Sequence, residues 1–150
     1  MRPATLAQAY DRIAAGEPRE AMLAEFLDTF YLAPSPEQQL ASISDEPRLT
    51  GDERLDALAG AIAEYLAKQN RLTKVPDWPF KPCRYLERAW HTSSFADAGM
   101  REYLTFASPA EFRSRNIFTE ERPLRRARFA VTAAPGGTRL ACARSPQLNV

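Results

Sequence analysis

Through residues 1–70 the apolar positions recur at helical spacing, and residues suited to begin or end helices stand between the runs. Leu6, Tyr10 and Ile13 form the first stripe. Thr5 with Gln8 has the spacing of a capping box, in which a hydroxyl accepts a backbone N–H and the amide side chain reaches back, so a helix is predicted over 6–15. Gly16 can take the left-handed backbone that ends it. Pro18 suits the first turn of a second helix over 18–31, with Met22, Leu23, Phe26, Leu27 and Phe30 on one face and Arg19, Glu20, Glu25 and Asp28 around the other. Ser35, Pro36 and Gln38 repeat the start signal for a short helix ending near Ile43. The strongest pattern opens at Thr50 with Glu53, or at Asp52 as the cap, and runs to Asn70. Leu55, Leu58, Ile62, Tyr65 and Leu66 are its expected buried stripe, and Asp56, Glu64 and Lys68 its outer face. Glu64 and Lys68 have the favourable i, i+4 order.

From Leu72 to Pro82 the character changes. Pro76, Pro79 and Pro82 break helix, and Val75, Trp78 and Phe80 place apolar bulk between them. This is an ordered loop laid over a core, or a linker; the aromatic density favours the first. Beyond it the pattern allows a short helix over 83–90 and a second over 95–106, and Ser108 with Glu111 gives a further capping box for a helix to about Arg115. After Arg126 regularity fades. Residues 133–138 are a turn, between short strands at 128–132 and 139–143 or within an irregular tail. The expected fold is all-α or mainly α: a compact multi-helix domain over 1–127 with the Pro/aromatic loop at its middle, and a C-terminal tail over 128–150.

The chain has 150 residues, enough for one core, and 20 basic against 19 acidic side chains give no bulk attraction to nucleic acid or membrane. The distribution is uneven: residues 1–75 hold 8 basic and 12 acidic side chains, residues 76–150 hold 12 and 7. Cys83 and Cys142 stand far apart, which fits reduced thiols, and no apolar run has the length of an export signal or a membrane span, so a cytoplasmic protein is expected. His91 is the single histidine and neither cysteine has a partner at ligand spacing, which sets a metal aside. Ser93, Ser94 and Cys83 near His91 lack any nucleophile elbow. Gly136–Gly137 reads as a turn rather than a phosphate loop, so no cofactor is expected. The pairs Asp45–Glu46, Asp52–Glu53 and Glu120–Glu121 lie at element ends, where helix polarity or solvent explains them. No catalytic set emerges.

The most informative segment is Phe112, Arg113, Arg115, Ile117 and Phe118, followed by Arg122, Arg125 and Arg126. Residues 113–150 contain eight Arg and two acidic side chains. Arginine beside aromatics forks to carboxylates on a partner protein, or binds phosphate and stacks on bases. The same residues also suit an internal clamp, in which Phe112, Ile117 and Phe118 dock on the core while Arg113 and Arg115 bridge to acids of the first half. A helix-turn-helix DNA reader built on the second helix is disfavoured, because Glu20, Glu25 and Asp28 make that helix acidic. Trp78, Phe80, Tyr85 and Trp90 suit a core better than a ligand pocket.

Three blocks together resemble a known group: residues 46–52 with 54–58 and 63–67; Pro76–Asp77–Trp78 with Arg84–Tyr85–Leu86 and Trp90; and Ser108 to Phe118. They are similar to bacterial helical proteins encoded beside nucleotidyltransferase toxins of the AbiEii kind, over roughly residues 20–127. The resemblance implies a non-enzymatic, antitoxin-like component of a toxin–antitoxin system that binds a nucleotidyltransferase-type toxin. The alternative is a DNA-associated regulator with the same arginines on phosphate.

Overall fold

The structure, a computed structural model, describes residues 1–93 and 97–126. It is mainly helical. The first four helices are α1 (Leu6–Ala14), α2 (Arg19–Tyr31), α3 (Pro36–Ser44) and α4 (Glu53–Gln69), at the places the periodicity predicts. Thr5 accepts the Gln8 N–H at 3.1 Å, and Gln8 reaches back to the N–H of Ala4 at 2.8 Å. Gly16 follows α1 with φ +108°. Ser35 accepts the Gln38 N–H, with Pro36 in the first turn. At α4 the cap is Asp52, which accepts the Arg54 N–H at 2.9 Å. Thr50 instead donates its N–H and its hydroxyl to the Asp56 carboxylate, both at 2.8 Å.

α4 is the axis of the molecule, and one expectation about it is corrected. Asp56 and Glu64 lie inside, not on an outer face, each only 6% exposed. Ala57, Ala59, Gly60, Ala61 and Ala63 are buried too, so neighbours cover the helix around most of its girth. The small side chains allow that close approach. On one side Leu6, Tyr10, Phe26 and Phe30 join Ile43, Ile62 and Leu66 in the core, while the Tyr10 hydroxyl donates to the Leu55 carbonyl.

The second half of the chain wraps the other side. Two 3-10 turns, Trp78–Phe80 and Pro82–Arg84, pack against α4, so the Pro/aromatic stretch is the ordered loop over the core and not a linker. Trp78 is buried and its indole N–H donates to the Ile43 carbonyl at 3.0 Å. The helix expected over 83–90 does not form. After the turn at Arg84 the backbone extends at Tyr85, the N–H of Leu86 donates to Arg115, and the carbonyl of Leu86 accepts from the Asn116 side chain. The chain then enters β1 (Trp90–His91), paired in parallel with β2 (Ile117–Phe118) in the register Trp90 to Ile117. No strand was expected in this region.

Between the strands lie α5 (Ala98–Ala107) and α6 (Ala110–Arg113). The start of the helix expected over 95–106 falls partly on residues outside the described set; the described part is capped by Asp97, whose carboxylate accepts the Met100 N–H. Ser108 does not cap α6. It ends α5, and its hydroxyl donates to the Thr119 carbonyl and accepts the Thr119 N–H, tying the turn to the strand end. The tail and hairpin expected after residue 127 lie outside the described residues. Among the described residues no helix is long and apolar enough to cross a membrane.

Candidate functional site

The arginine-rich segment divides into an inner and an outer set. Arg115 has no exposed surface. It donates to Glu64 at 2.5 Å, to the Glu111 carbonyl at 2.8 Å and to the Pro79 carbonyl at 2.8 Å, and its guanidinium lies 4.6 Å from the centre of the Tyr85 ring. Glu64 also accepts from Lys68 at 2.6 Å, so one buried carboxylate serves two cations. Arg84, from the Pro82–Arg84 turn, is its counterpart against α4 about two turns earlier along that helix. It too is fully buried, and it donates to Glu46 at 3.0 Å, to the Pro47 carbonyl at 2.6 Å and to the Asp56 carbonyl at 3.2 Å, with Trp78 stacked 5.0 Å away. Hydrogen bonds from Lys81 and Arg84 hold the Glu46 carboxyl below the usual carboxylate range. Gly60 sits between the two arginines. A Cβ there would come within 3.1 Å of Arg115 Nε and of Arg84 Cβ.

Arg115 is therefore the internal clamp to an acid of the first half. Phe112 and Ile117 are buried with it, Phe112 edge-on to Tyr65 at 5.5 Å. Arg115 and Ile117 are not placed to form a contact surface, because both are wholly buried; Phe112 is buried among core side chains but borders an apolar groove. Arg113 is exposed and bridges no acid among the described residues. Phe118 is half-buried and stacks on His91 at 5.0 Å. Arg126 is partly buried and forks to Asp28, with contacts of 2.9 and 3.3 Å. Arg122 and Arg125 are exposed and form no ion pair among the described residues.

Those outer arginines line a cleft of about 480 Å³ with Tyr31, Tyr65, Gln69, Asn70 and Glu121. The cleft lies at the C-terminal end of α4, where the helix carbonyls favour nearby cations. The Tyr31 hydroxyl donates to the Leu124 carbonyl at 3.1 Å. Burial pushes the Tyr31 phenol up to about 12, with Tyr65 adding to the shift. Burial and Glu111 push Tyr65 up, against a smaller opposing effect of Arg122. Both phenols keep their protons at neutral pH, the Tyr31 proton being already given to the Leu124 carbonyl. Arg122 and Arg125 stand at this cleft beside Glu121, and each exposed guanidinium can take a carboxylate by charge-assisted hydrogen bonds.

Comparison with protein families, with curated proteins and with solved structures finds no match to this chain.

Arg84 carries as much of the inner set as Arg115, and sequence reasoning did not single it out. A lone arginine in an aperiodic Pro/aromatic stretch has no pattern that reveals burial. The nearest signal was the run of alanines with Gly60 that shares a face with Asp56 and Glu64 on α4, a helix too small on too many sides to have a solvent face.

Proposed function

We propose that this protein is a non-enzymatic binding module that grips an acidic protein partner through Arg113, Arg122 and Arg125. The observation that carries this reading is the split of the arginine segment: Arg115 and Arg126 are matched to internal acids, while these three stay exposed without an ionic partner among the described residues. An exposed planar guanidinium beside tyrosines is the composition of protein interfaces, where Arg and Tyr supply much of the contact energy. The sequence resemblance gives the reading its particular form: an antitoxin-like component whose partner is a nucleotidyltransferase-type toxin.

The test is affinity capture from the native cells at moderate salt with nuclease, using the wild type and a variant with Arg113, Arg122 and Arg125 all changed to Glu. The expected outcome is a stoichiometric protein partner whose Kd rises by about tenfold or more in the variant, the equivalent of ~1.4 kcal/mol, with helical circular dichroism unchanged. An undiminished complex overturns the reading. Retention of DNA alone, lost with nuclease and falling steeply with salt, transfers the arginines to phosphate and to a DNA-associated regulator.

A further inference from the structure

On the other side of Arg125 and Arg126 from the tyrosine cleft lies a second depression, an apolar groove of about 280 Å³. Leu27, Ile62, Phe112 and Leu124 are among its buried residues, and Leu23, Leu58 and Trp90 are half-buried along it. That space suits a side chain or two rather than a cofactor. Its edge is mixed but carries an excess of cations, with Glu20 offsetting Arg19. Arg19 and Arg54 lie 5.9 and 5.4 Å from the centre of the Trp90 ring, and Arg125 stands exposed at the lip. Arg19 is paired with Glu20 and Arg126 with Asp28, whereas Arg125 has no ionic partner among the described residues.

We infer that this groove receives an apolar side chain of the protein partner, carried on a segment whose neighbouring Asp or Glu pairs with Arg125. The inference rests on the proposed function and deepens it by naming the chemistry of the recognised segment. Charge complementarity selects this occupant over the chain's own residues 127–150, which contain three Arg and no Asp or Glu and so would set like charges against the arginine lip. The arrangement is the common one of an apolar anchor in a pocket with a charged contact at the rim.

The test places the photo-reactive residue p-benzoylphenylalanine in the full chain in its native cells, at Glu20 on the exposed edge of the groove and separately at Arg122 on the cleft side. The expected adduct from Glu20→p-benzoylphenylalanine maps to a partner peptide with an apolar residue within a helical turn of Asp or Glu. A partner adduct at position 122 with none at position 20 overturns the groove inference and leaves the proposed function standing. So does an adduct at position 20 on a peptide without an acidic residue, on residues 127–150, or on a second copy of this chain. No partner adduct at either position overturns both. With the partner so identified, Ala24→Leu, which fills the groove, should raise Kd by about tenfold. Arg125→Glu, at an exposed position, gives the same readout should the filled groove disturb folding; unchanged affinity for a folded variant overturns the inference.

Discussion

Residues 1–70 and residues 71–126 reach burial by different means. In the first region the core is apolar stripes on capped helices, with Leu6, Phe26, Phe30 and Ile43 fully inside. In the second, regular structure apart from α5 is short, and the two largest fully buried side chains of the described protein are Arg84 and Arg115. A helix satisfies its own backbone and leaves only its face to be matched. An irregular wrap leaves carbonyls to be satisfied from outside: Arg115 does this for Pro79 while also bonding the Glu111 carbonyl of α6, and Arg84 ties the wrap back to the first region through the Pro47 and Asp56 carbonyls. The contrast teaches that arginine here replaces secondary structure as the element that completes the second layer.

The largest effect should come from breaking that layer. Arg115→Ala leaves Glu64 buried beside Lys68 alone and takes from the Pro79 carbonyl its donor and from the Glu111 carbonyl one of two, so urea denaturation should show a loss of about 3–5 kcal/mol. Arg115→Lys should not restore it, because an ammonium cannot fork between a carboxylate and a carbonyl in the same geometry. If Arg115→Ala proves neutral, the second region is held by packing like the first, and the comparison fails. Gly60→Ala comes next. Its Cβ would press on both arginines and on the Pro79 carbonyl at 3.2 Å, with an expected cost of about 1–3 kcal/mol by the same measurement.

A smaller effect isolates the indole bond that ties the loop to α3. Trp78→Phe keeps most of the apolar volume but leaves the Ile43 carbonyl without its donor, and should cost about 1–2 kcal/mol. Alkaline titration sharpens the boundary where Tyr31 of the first region meets Leu124 of the second. The Tyr31 phenol sits above its unfolded value near 10, at about 12. Its contribution to stability is full below the unfolded value and is lost as pH rises toward the folded one, because only the unfolded chain releases the proton in that window. Denaturation midpoints should therefore fall between about pH 10 and 12, and less so in Tyr31→Phe. The smallest effects belong to the surface. Phe106→Ser on α5, where Phe106 is 76% exposed, and Arg113→Glu should each change stability by no more than about 0.5 kcal/mol.

The helices of the first region were legible because each carries local signals at fixed spacing: Thr5 with Gln8, Ser35 before Pro36, and Asp52 before the long stripe of α4. Local chemistry misled only where a side chain had a distant claim on it. Thr50 is drawn to Asp56 instead of capping, and Ser108, spaced as a cap, is held by Thr119. Residues 83–90 read as a short helix because no local pattern announces that Leu86 will pair with Arg115 and Asn116. The candidate surface was half legible. Composition located the arginine segment, but spacing could not divide Arg113, Arg122 and Arg125, which face out, from Arg115, which lies entirely within.

The sequence by itself determined that this chain is mainly helical, where its first four helices begin, and that its basic side chains concentrate toward the second half. These properties follow from periodicity, capping and charge, all of which act over a few neighbouring residues. Only the tertiary structure decided that Asp56 and Glu64 are internal, that Gly60 separates two buried arginines, and that the remaining arginines border a tyrosine cleft on one side and an apolar groove on the other. The physical reason is that the two buried guanidinium groups reach α4 across 28 and 51 positions of the chain, separations where no local pattern reaches.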